Sequence, residues 1–225
     1  QDPGSANPFD PNQITLDAGV TTPSGKVLRV PGFWFQDYKR GLKNPDAKDA
    51  DRIETLEAVG TPGWRLRFSS GETGVHKVVL ELRTPAAVRT SPELRVDVKA
   101  GPRRGPIRVS PRNKMYLEDS AGKAYFPIGQ NLCMYPAREG TLFFERILPK
   151  IAAAGGNYVR LWEEYYPQGD LKRPSAPGDG SNTGFPLETV PGGIGRYDME
   201  CAWRLDFVSK LLDRHQIGWQ LCLEN

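Results

Sequence analysis

The chain has 225 residues, of which 38% are hydrophobic and 25% charged, a composition typical of a globular protein of one or two domains. The net charge is +3, and the 30 Lys and Arg residues are interspersed with 27 Asp and Glu residues, which indicates neither a nucleic-acid nor a membrane partner. No apolar run reaches the ~18 residues that cross a bilayer.

Residues 1–10 are expected to be an N-terminal tail, without the charged and apolar regions of a signal peptide. Residues 11–101 show alternating apolar residues between glycine and proline breaks, which predicts a β-sandwich. Residues 64–68 and 76–82, separated by the turn signal "SSGETG", are predicted to pair as a hairpin. Further strands are expected at "KVLRVPGFW" and at 94–98. His76 is interpreted as a residue of the sheet.

Residues 102–114 are rich in proline, glycine and arginine and are predicted to be a linker. From 115 to 225 the pattern alternates between strand and helix. The strand "AYFPIGQNLCM" precedes a helix from Thr141, in which Pro149 predicts a kink or an early end and the glycines at 155 and 156 predict a stop. The strand "NYVRLW" comes next.

Asp198 is predicted to cap a second helix, with His215 near its end, and "IGWQLCLEN" reads as a third strand. This order predicts parallel strands with crossover helices. No GxGxxG motif follows the first strand, so we expect no nucleotide cofactor and favour the first three βα units of a (β/α)8 barrel over a Rossmann sheet.

Few residues are available for metal or redox chemistry. The three cysteines lack metal-ligand spacing, their odd number precludes a complete set of disulfides, and neither histidine is near a cysteine. The sequence therefore predicts no metal site. The "GDGSNTG" segment at 178–184 imitates part of a calcium loop but lacks the later bidentate glutamate, so it is interpreted as a connection.

Polar residues follow each predicted strand of the barrel, where functional groups of this fold lie. Aromatic rings stack on sugar rings, while amides, carboxylates and arginine bind hydroxyl groups. Trp162 could equally be a core residue, the asparagines could cap loop backbone, and adjacent glutamates point to opposite sides of a strand. The predicted substrate-binding residues are Asn131, Arg160, Trp162, Glu163, Glu164, Glu224 and Asn225.

Two groups of motifs resemble known families. "NPF", "PSGKVLRVPGFW" and "WRLRFSSGETGVH" resemble the Ig-like, DUF5060-type N-terminal domain of bacterial glycoside hydrolases. "GGNYVRLW" and "GRYDMECAWRLDFVSKLLDRHQIGWQLCLEN" are similar to the start of a cellulase-like clan A TIM barrel. The resemblance implies a secreted or periplasmic enzyme, its signal peptide removed, that cleaves O-glycosidic bonds in a polysaccharide or oligosaccharide with retention.

The resemblance also implies roles for individual residues. Arg160 would support the nucleophilic carboxylate, Trp162 would shape a subsite wall, and Asn225 would line a sugar subsite, although many relatives have histidine near that position. Retaining hydrolysis needs two carboxyl groups ~5–5.5 Å apart. In the family they follow the fourth and seventh strands, so both are expected beyond Asn225. This piece alone is then expected to be inactive and to need the remainder of the barrel or a complementary fragment.

Two alternatives remain at this stage. The chain could be a non-catalytic carbohydrate-binding or structural module that grips a glycan through Phe33, Trp34, Phe35 and Tyr38, although such rings more commonly fill cores. It could also belong to a barrel enzyme of another chemistry, such as an aldolase or a metal-dependent hydrolase.

Overall fold

The structure is a computed structural model that describes residues 4, 6–48, 51–101, 105–163, 182–188 and 195–223. The chain divides into two compact units, the first made of residues 1–37 and 60–102 and the second of residues 38–59 and 103–225. In the described part of the chain, neither helix has the length and apolarity that a membrane crossing requires.

The first unit is built on one antiparallel sheet, whose strand order is β3-β2-β1-β4-β5, with β6 also paired to β4. The outer ends of β2 and β3, residues 38–42 and 54–59, group with the second unit. The strands are β1 (Thr15–Thr21), β2 (Val27–Leu42), β3 (Glu54–Leu66), β4 (Gly74–Thr84), β5 (Ala87–Thr90) and β6 (Leu94–Val98).

Alternation of side chains along these strands produces the core of the first unit. Ala18, Val20 and Val78 are buried on one face, and Val20 of β1 lies opposite Val78 of β4. Leu28 of β2 pairs in register with Val20 and packs against the same cluster. His76 is fully buried on this face, as the interpretation of a sheet residue predicts.

The predicted hairpin between residues 64–68 and 76–82 is wrong. Residues 64–66 belong to β3 and residues 76–82 to β4, and two strands, β2 and β1, lie between them in the sheet. A turn signal such as "SSGETG" reverses the chain but does not specify which strand pairs with which. The long β1–β2 hairpin, closed by the bond from Thr22 N–H to Lys26 O at 2.8 Å, occupies the intervening position.

The second unit contains a parallel three-stranded sheet, β10-β12-β14, a β7-β8-β9 meander and a β11-β13 pair. The connections between its parallel strands include two helices. Its elements are β7 (Arg108–Val109), β8 (Leu117–Glu118), β9 (Ala124–Tyr125), β10 (Gly129–Asn131), β11 (Tyr135–Pro136), α1 (Thr141–Ala153), β12 (Tyr158–Trp162), β13 (Asn182–Thr183), α2 (Met199–Arg214) and β14 (Gly218–Cys222).

Local sequence sets the helix ends. Asp198 caps α2, because its carboxylate accepts hydrogen bonds from the N–H groups of Glu200 and Cys201, which confirms the prediction. α1 runs to Ala153, so the early end predicted at Pro149 is wrong. The buried residues Phe144, Leu148 and Ile151 pack α1 into the core, and this tertiary packing compensates for the backbone bond that proline cannot make.

The predicted fold, an Ig-like β-sandwich followed by the first three βα units of a TIM barrel, is wrong. The described residues contain two helices, one of them before the C-terminal part, whereas three βα units need three. Strands β1 to β6 form one hydrogen-bonded sheet, whereas a sandwich has two. The predicted strand at 124–134 is split between β9 and β10, which belong to different sheets. The fold is sheet-rich and mostly antiparallel, because β1 to β6 pair in one antiparallel sheet and β7, β8 and β9 form a further antiparallel meander.

Candidate functional site

A polar side of the parallel sheet is the candidate site. In the register of its strands, Asn131 of β10 lies beside Arg160 of β12, which lies beside Gln220 of β14. Trp162 lies beside Cys222. Partners in register point to the same side of a sheet, so these side chains share one surface.

The alternation within "YVRLW" separates this surface from the core. Val159 and Leu161 are fully buried in the cluster that contains Phe144 of α1 and Val208 of α2, so the helices pack on their side of the sheet. Side chains at alternate positions point to the other side, which we call the polar face. It consists of Asn131, Tyr158, Arg160, Trp162, Gln220 and Cys222.

Cross-strand contacts order the polar face. The Tyr158 hydroxyl donates to Gln220 Oε1 at 2.6 Å, and Arg160 Nε donates to Cys222 Sγ at 2.8 Å. The Arg160 guanidinium carbon lies 5.5 Å from the centre of the Trp162 ring, within the range of a cation–π interaction. These contacts hold Arg160 and Trp162 side by side.

The indole nitrogen of Trp162 is a donor without an acceptor. Nε1 is buried and has no hydrogen-bond partner among the residues that the structure describes. A buried N–H group without an acceptor destabilises the fold by roughly 1–3 kcal/mol, and such groups are rare in native proteins. A ligand oxygen at this position would satisfy it.

Glu163 lies just after β12 and is held by its backbone, since its N–H donates to Cys222 O at 2.9 Å. Strand alternation places its side chain on the side opposite to Trp162. Burial raises the pKa of the Glu163 carboxyl, and the nearby carboxylate of Glu188 raises it further.

Glu188 and Tyr197 join Glu163 in an acidic group that the sequence did not reveal. Burial raises the pKa of Tyr197, and the carboxylates of Glu188 and Glu163 add to the effect. The segment at 182–188 is attached to the end of β12, because Phe185 N–H donates to Trp162 O at 2.8 Å. No spacing signal connects these three residues, since they come together only through the tertiary fold.

The structure therefore brings three of the predicted substrate-binding residues, Asn131, Arg160 and Trp162, onto one surface, whereas Glu163 points to the opposite side of the sheet. The predicted positions Glu164, Glu224 and Asn225 lie outside the described residues. Tyr158, Gln220 and Cys222 also belong to the polar face but were missed by the sequence reasoning. Period-two alternation in "NYVRLW" and "GWQLC" would have found them.

The aromatic residues considered as an alternative glycan platform are already engaged with other side chains. Trp34 and Trp64 meet edge to face at 5.6 Å, and the guanidinium of Arg65 lies 3.9 Å from the ring centre of Phe35, which is buried. In the second unit, the ring centres of Tyr38 and Trp203 lie 6.3 Å apart. Burial raises the pKa of the Tyr38 hydroxyl to about 12. Such rings fill cores and sheet surfaces.

Within the described ranges, no group of three or more His, Cys, Asp or Glu side chains is arranged to hold a metal ion. Most of the segment at 178–184 lies outside those ranges. The polar face instead combines one cation, one indole and the amides of Asn131 and Gln220, a set suited to hydrogen bonding and stacking with a polar ring. No family model, curated protein or solved structure matches this chain.

Proposed function

We propose that the polar face binds a carbohydrate and that the protein acts on O-glycosidic bonds of a polysaccharide or oligosaccharide, as a glycoside hydrolase. The observation that carries the proposal is the pair formed by Arg160 and Trp162. The indole supplies an apolar surface and an unpaired N–H donor, and the guanidinium beside it supplies further donors. Sugar rings, which have apolar faces and hydroxyl edges, match this combination.

The neighbouring residues support the same ligand class. Asn131 and Gln220 present exposed amides, which both donate and accept hydrogen bonds as sugar hydroxyls do. Tyr158 is already bonded to Gln220 and fixes its carbonyl oxygen. A preorganised surface loses less conformational entropy on binding.

The hydrolytic step and a secreted or periplasmic location rest on the sequence resemblance to bacterial glycoside hydrolases. We assign no catalytic role to Glu163, because strand alternation turns it away from the polar face. Retention is part of the proposal and predicts that the first product formed has the anomeric configuration of the substrate, which proton NMR during hydrolysis measures.

Binding is tested by calorimetric titration with a panel of oligosaccharides from cellulose, xylan, mannan and pectin. Trp162→Ala is expected to weaken binding about tenfold or more, because it removes both the ring and the donor. Trp162→Phe keeps a ring without the N–H group and is expected to give an intermediate affinity.

Trp219→Phe is the matched control, because residue 219 pairs with Val159 and points to the other side of the sheet. If Trp162→Phe and Trp219→Phe change the affinity equally, the polar face is not the binding surface. Release of reducing ends from the same polysaccharides separates an enzyme from a binding module. Because the catalytic carboxyl groups are expected beyond Asn225, this assay uses the chain together with a complementary fragment that carries them, and binding without release in that form would contradict the hydrolase.

A further inference from the structure

Arg160 differs from the other shielded arginines of the second unit in its electrostatic surroundings. Four of them pair with a carboxylate: Arg40 with Glu145, Arg138 with Asp51, Arg146 with Glu139, and Arg204 with Glu54. Arg160 is half-buried as well, yet it has no carboxylate partner in the described part of the chain.

The contacts that Arg160 does make leave its terminal nitrogens available. Nε donates to Cys222 Sγ, and the guanidinium lies near the ring of Trp162. No described residue accepts a hydrogen bond from either Nη nitrogen. The two Nη groups form a planar fork that matches the two oxygens of a carboxylate.

Among the residues that the structure describes, the polar face carries one positive charge and no negative one. Its other members are Asn131, Tyr158, Trp162, Gln220 and Cys222, and none of them is an aspartate or a glutamate. A partly desolvated cation is costly without a counter-charge, so an anionic ligand gains both the Coulomb attraction and the hydrogen bonds. A neutral sugar would gain only the hydrogen bonds.

We propose that the saccharide bound at the polar face is acidic, with a uronate carboxylate held by the Nη groups of Arg160 while its ring lies against Trp162. This inference rests on the proposed carbohydrate-binding function and names the substrate class. Asn131 and Gln220 then bind hydroxyl groups of the same or a neighbouring sugar.

The experiment compares acidic oligosaccharides with neutral partners of the same backbone. The probes are tetragalacturonate, tetramannuronate and a glucuronate-substituted xylo-oligosaccharide, each titrated beside its methyl-esterified form at one ionic strength. At least one acid is expected to bind about tenfold or more tightly than its ester. Equal affinity in every pair would overturn the acidic-substrate inference and leave carbohydrate binding intact.

Single-residue variants test whether Arg160 causes the preference for the acidic oligosaccharide over its ester. Arg160→Gln is expected to abolish the preference for the acid, because it weakens binding of the acid more than binding of the ester, whereas Arg160→Lys, which keeps the charge without the fork, retains part of the preference. Arg214→Gln, at the exposed end of α2, controls for overall charge and is expected to change neither affinity. If Arg160→Gln keeps the preference, or Arg214→Gln removes it, the assignment to Arg160 is wrong.

Two readouts separate failure of this inference from failure of the proposed function. If neither acids, esters nor the neutral panel bind, both proposals fall. Thermal unfolding of Arg160→Gln gives the second readout. Since the variant removes a cation that lacks a counter-charge, its Tm is expected to equal or exceed that of the unaltered protein, and a large fall would show a structural role for Arg160 instead.

Discussion

Arg204 and Glu54 form an ion pair that is closed to solvent. Nε of Arg204 donates to Oε2 of Glu54 at 2.8 Å, and their side chains are 2% and 0% exposed. The other carboxylate oxygen, Oε1, accepts from the backbone N–H of Thr141 at 3.0 Å and from its hydroxyl. Because the N-cap residue Gly140 has no side chain, Glu54 caps α1 from outside the helix.

Removing Glu54 is therefore expected to destabilise the second unit strongly. Glu54→Ala leaves the buried Arg204 with Glu200, partly exposed and 3.5 Å from its Nη2, as its remaining counter-charge, and leaves α1 without its cap, at a cost of about 3–5 kcal/mol in the free energy of unfolding. The double variant Glu54→Ala/Arg204→Met removes both charges and is expected to lose less than the sum of the two single losses. Urea unfolding followed by circular dichroism measures all three.

Glu145→Ala is the control for this pair, since it removes a more exposed ion pair with Arg40 and is expected to cost about 0–1 kcal/mol. Strict additivity of Glu54→Ala and Arg204→Met would show that the two side chains do not depend on each other.

Gly140 is required both by its backbone conformation and by its proximity to Glu54. Its φ is +55°, and an added Cβ would clash with Oε2 of Glu54, which Arg204 holds in place. Gly155, also near an end of α1, has φ +81° but open space around it. Gly155→Ala is expected to lower the free energy of unfolding by about 1–2 kcal/mol through its backbone conformation alone. Gly140→Ala is expected to lower it further, because the added Cβ also conflicts with Glu54.

The difference between these two glycine variants should disappear when Glu54 is already alanine, since the steric conflict is then gone. Thermal unfolding of the four variants tests this. If Gly140→Ala still costs more than Gly155→Ala in the Glu54→Ala background, the conflict with the carboxylate is not the cause.

Asp198→Ala removes the side-chain cap of α2. The variant loses both hydrogen bonds to Oδ1, which come from the N–H groups of Glu200 at 2.9 Å and Cys201 at 3.0 Å. The free energy of unfolding is expected to fall by about 0.5–2 kcal/mol. Asp198→Asn keeps the acceptor oxygen and is expected to remain close to the original stability. Equal losses in the two variants, measured by urea unfolding, would point to the charge of Asp198 and not to its hydrogen bonds.

Glu163 is expected to make stability depend on pH. Its raised pKa means that the folded state holds the proton more firmly than the unfolded state, so this contribution to stability falls as the pH rises above the ordinary carboxyl range. Glu163→Gln, which stays neutral, should raise Tm at pH 7 and leave it unchanged near pH 4.

Glu188→Gln removes the smaller of the two causes that raise the pKa of Glu163, so its Tm at pH 7 should rise less than that of Glu163→Gln. Differential scanning calorimetry at both pH values measures the effect. An equal gain from Glu163→Gln at pH 4 and pH 7 would exclude ionisation of the carboxyl as its origin.

Local sequence signals predicted the helices and strands of this chain better than they predicted which strands pair with each other. The strand at 158–162, the start of α1 at Thr141 and the Asp198 cap follow from alternation, helical spacing and capping chemistry, which act within a few residues. The pairing of β4 with β1 depends on contacts between residues about 60 positions apart, and no turn signal encodes it.

The same limit applies to the candidate site. Arg160 and Trp162 lie two positions apart on one strand, so period-two alternation is enough to place them on the same side of the sheet. Grouping Glu163 with Glu188 and Tyr197 depends on the course of the chain after β12, and the burial of Glu54 depends on a helix far along the sequence. A glutamate in "RIETLEAVG" shows no local feature that distinguishes it from a surface residue.

The pair formed by Glu54 and Arg204 spans 150 positions of the chain. During synthesis Glu54 leaves the ribosome long before its partner exists, and its carboxylate remains hydrated until α2 has been made. Contacts of such long sequence separation slow folding because loop-closure entropy is lost before the contact is gained. The core of the second unit is therefore expected to close only after α2 has been made, and a chain lacking residues 38–59 would leave Arg204 without the carboxylate of Glu54.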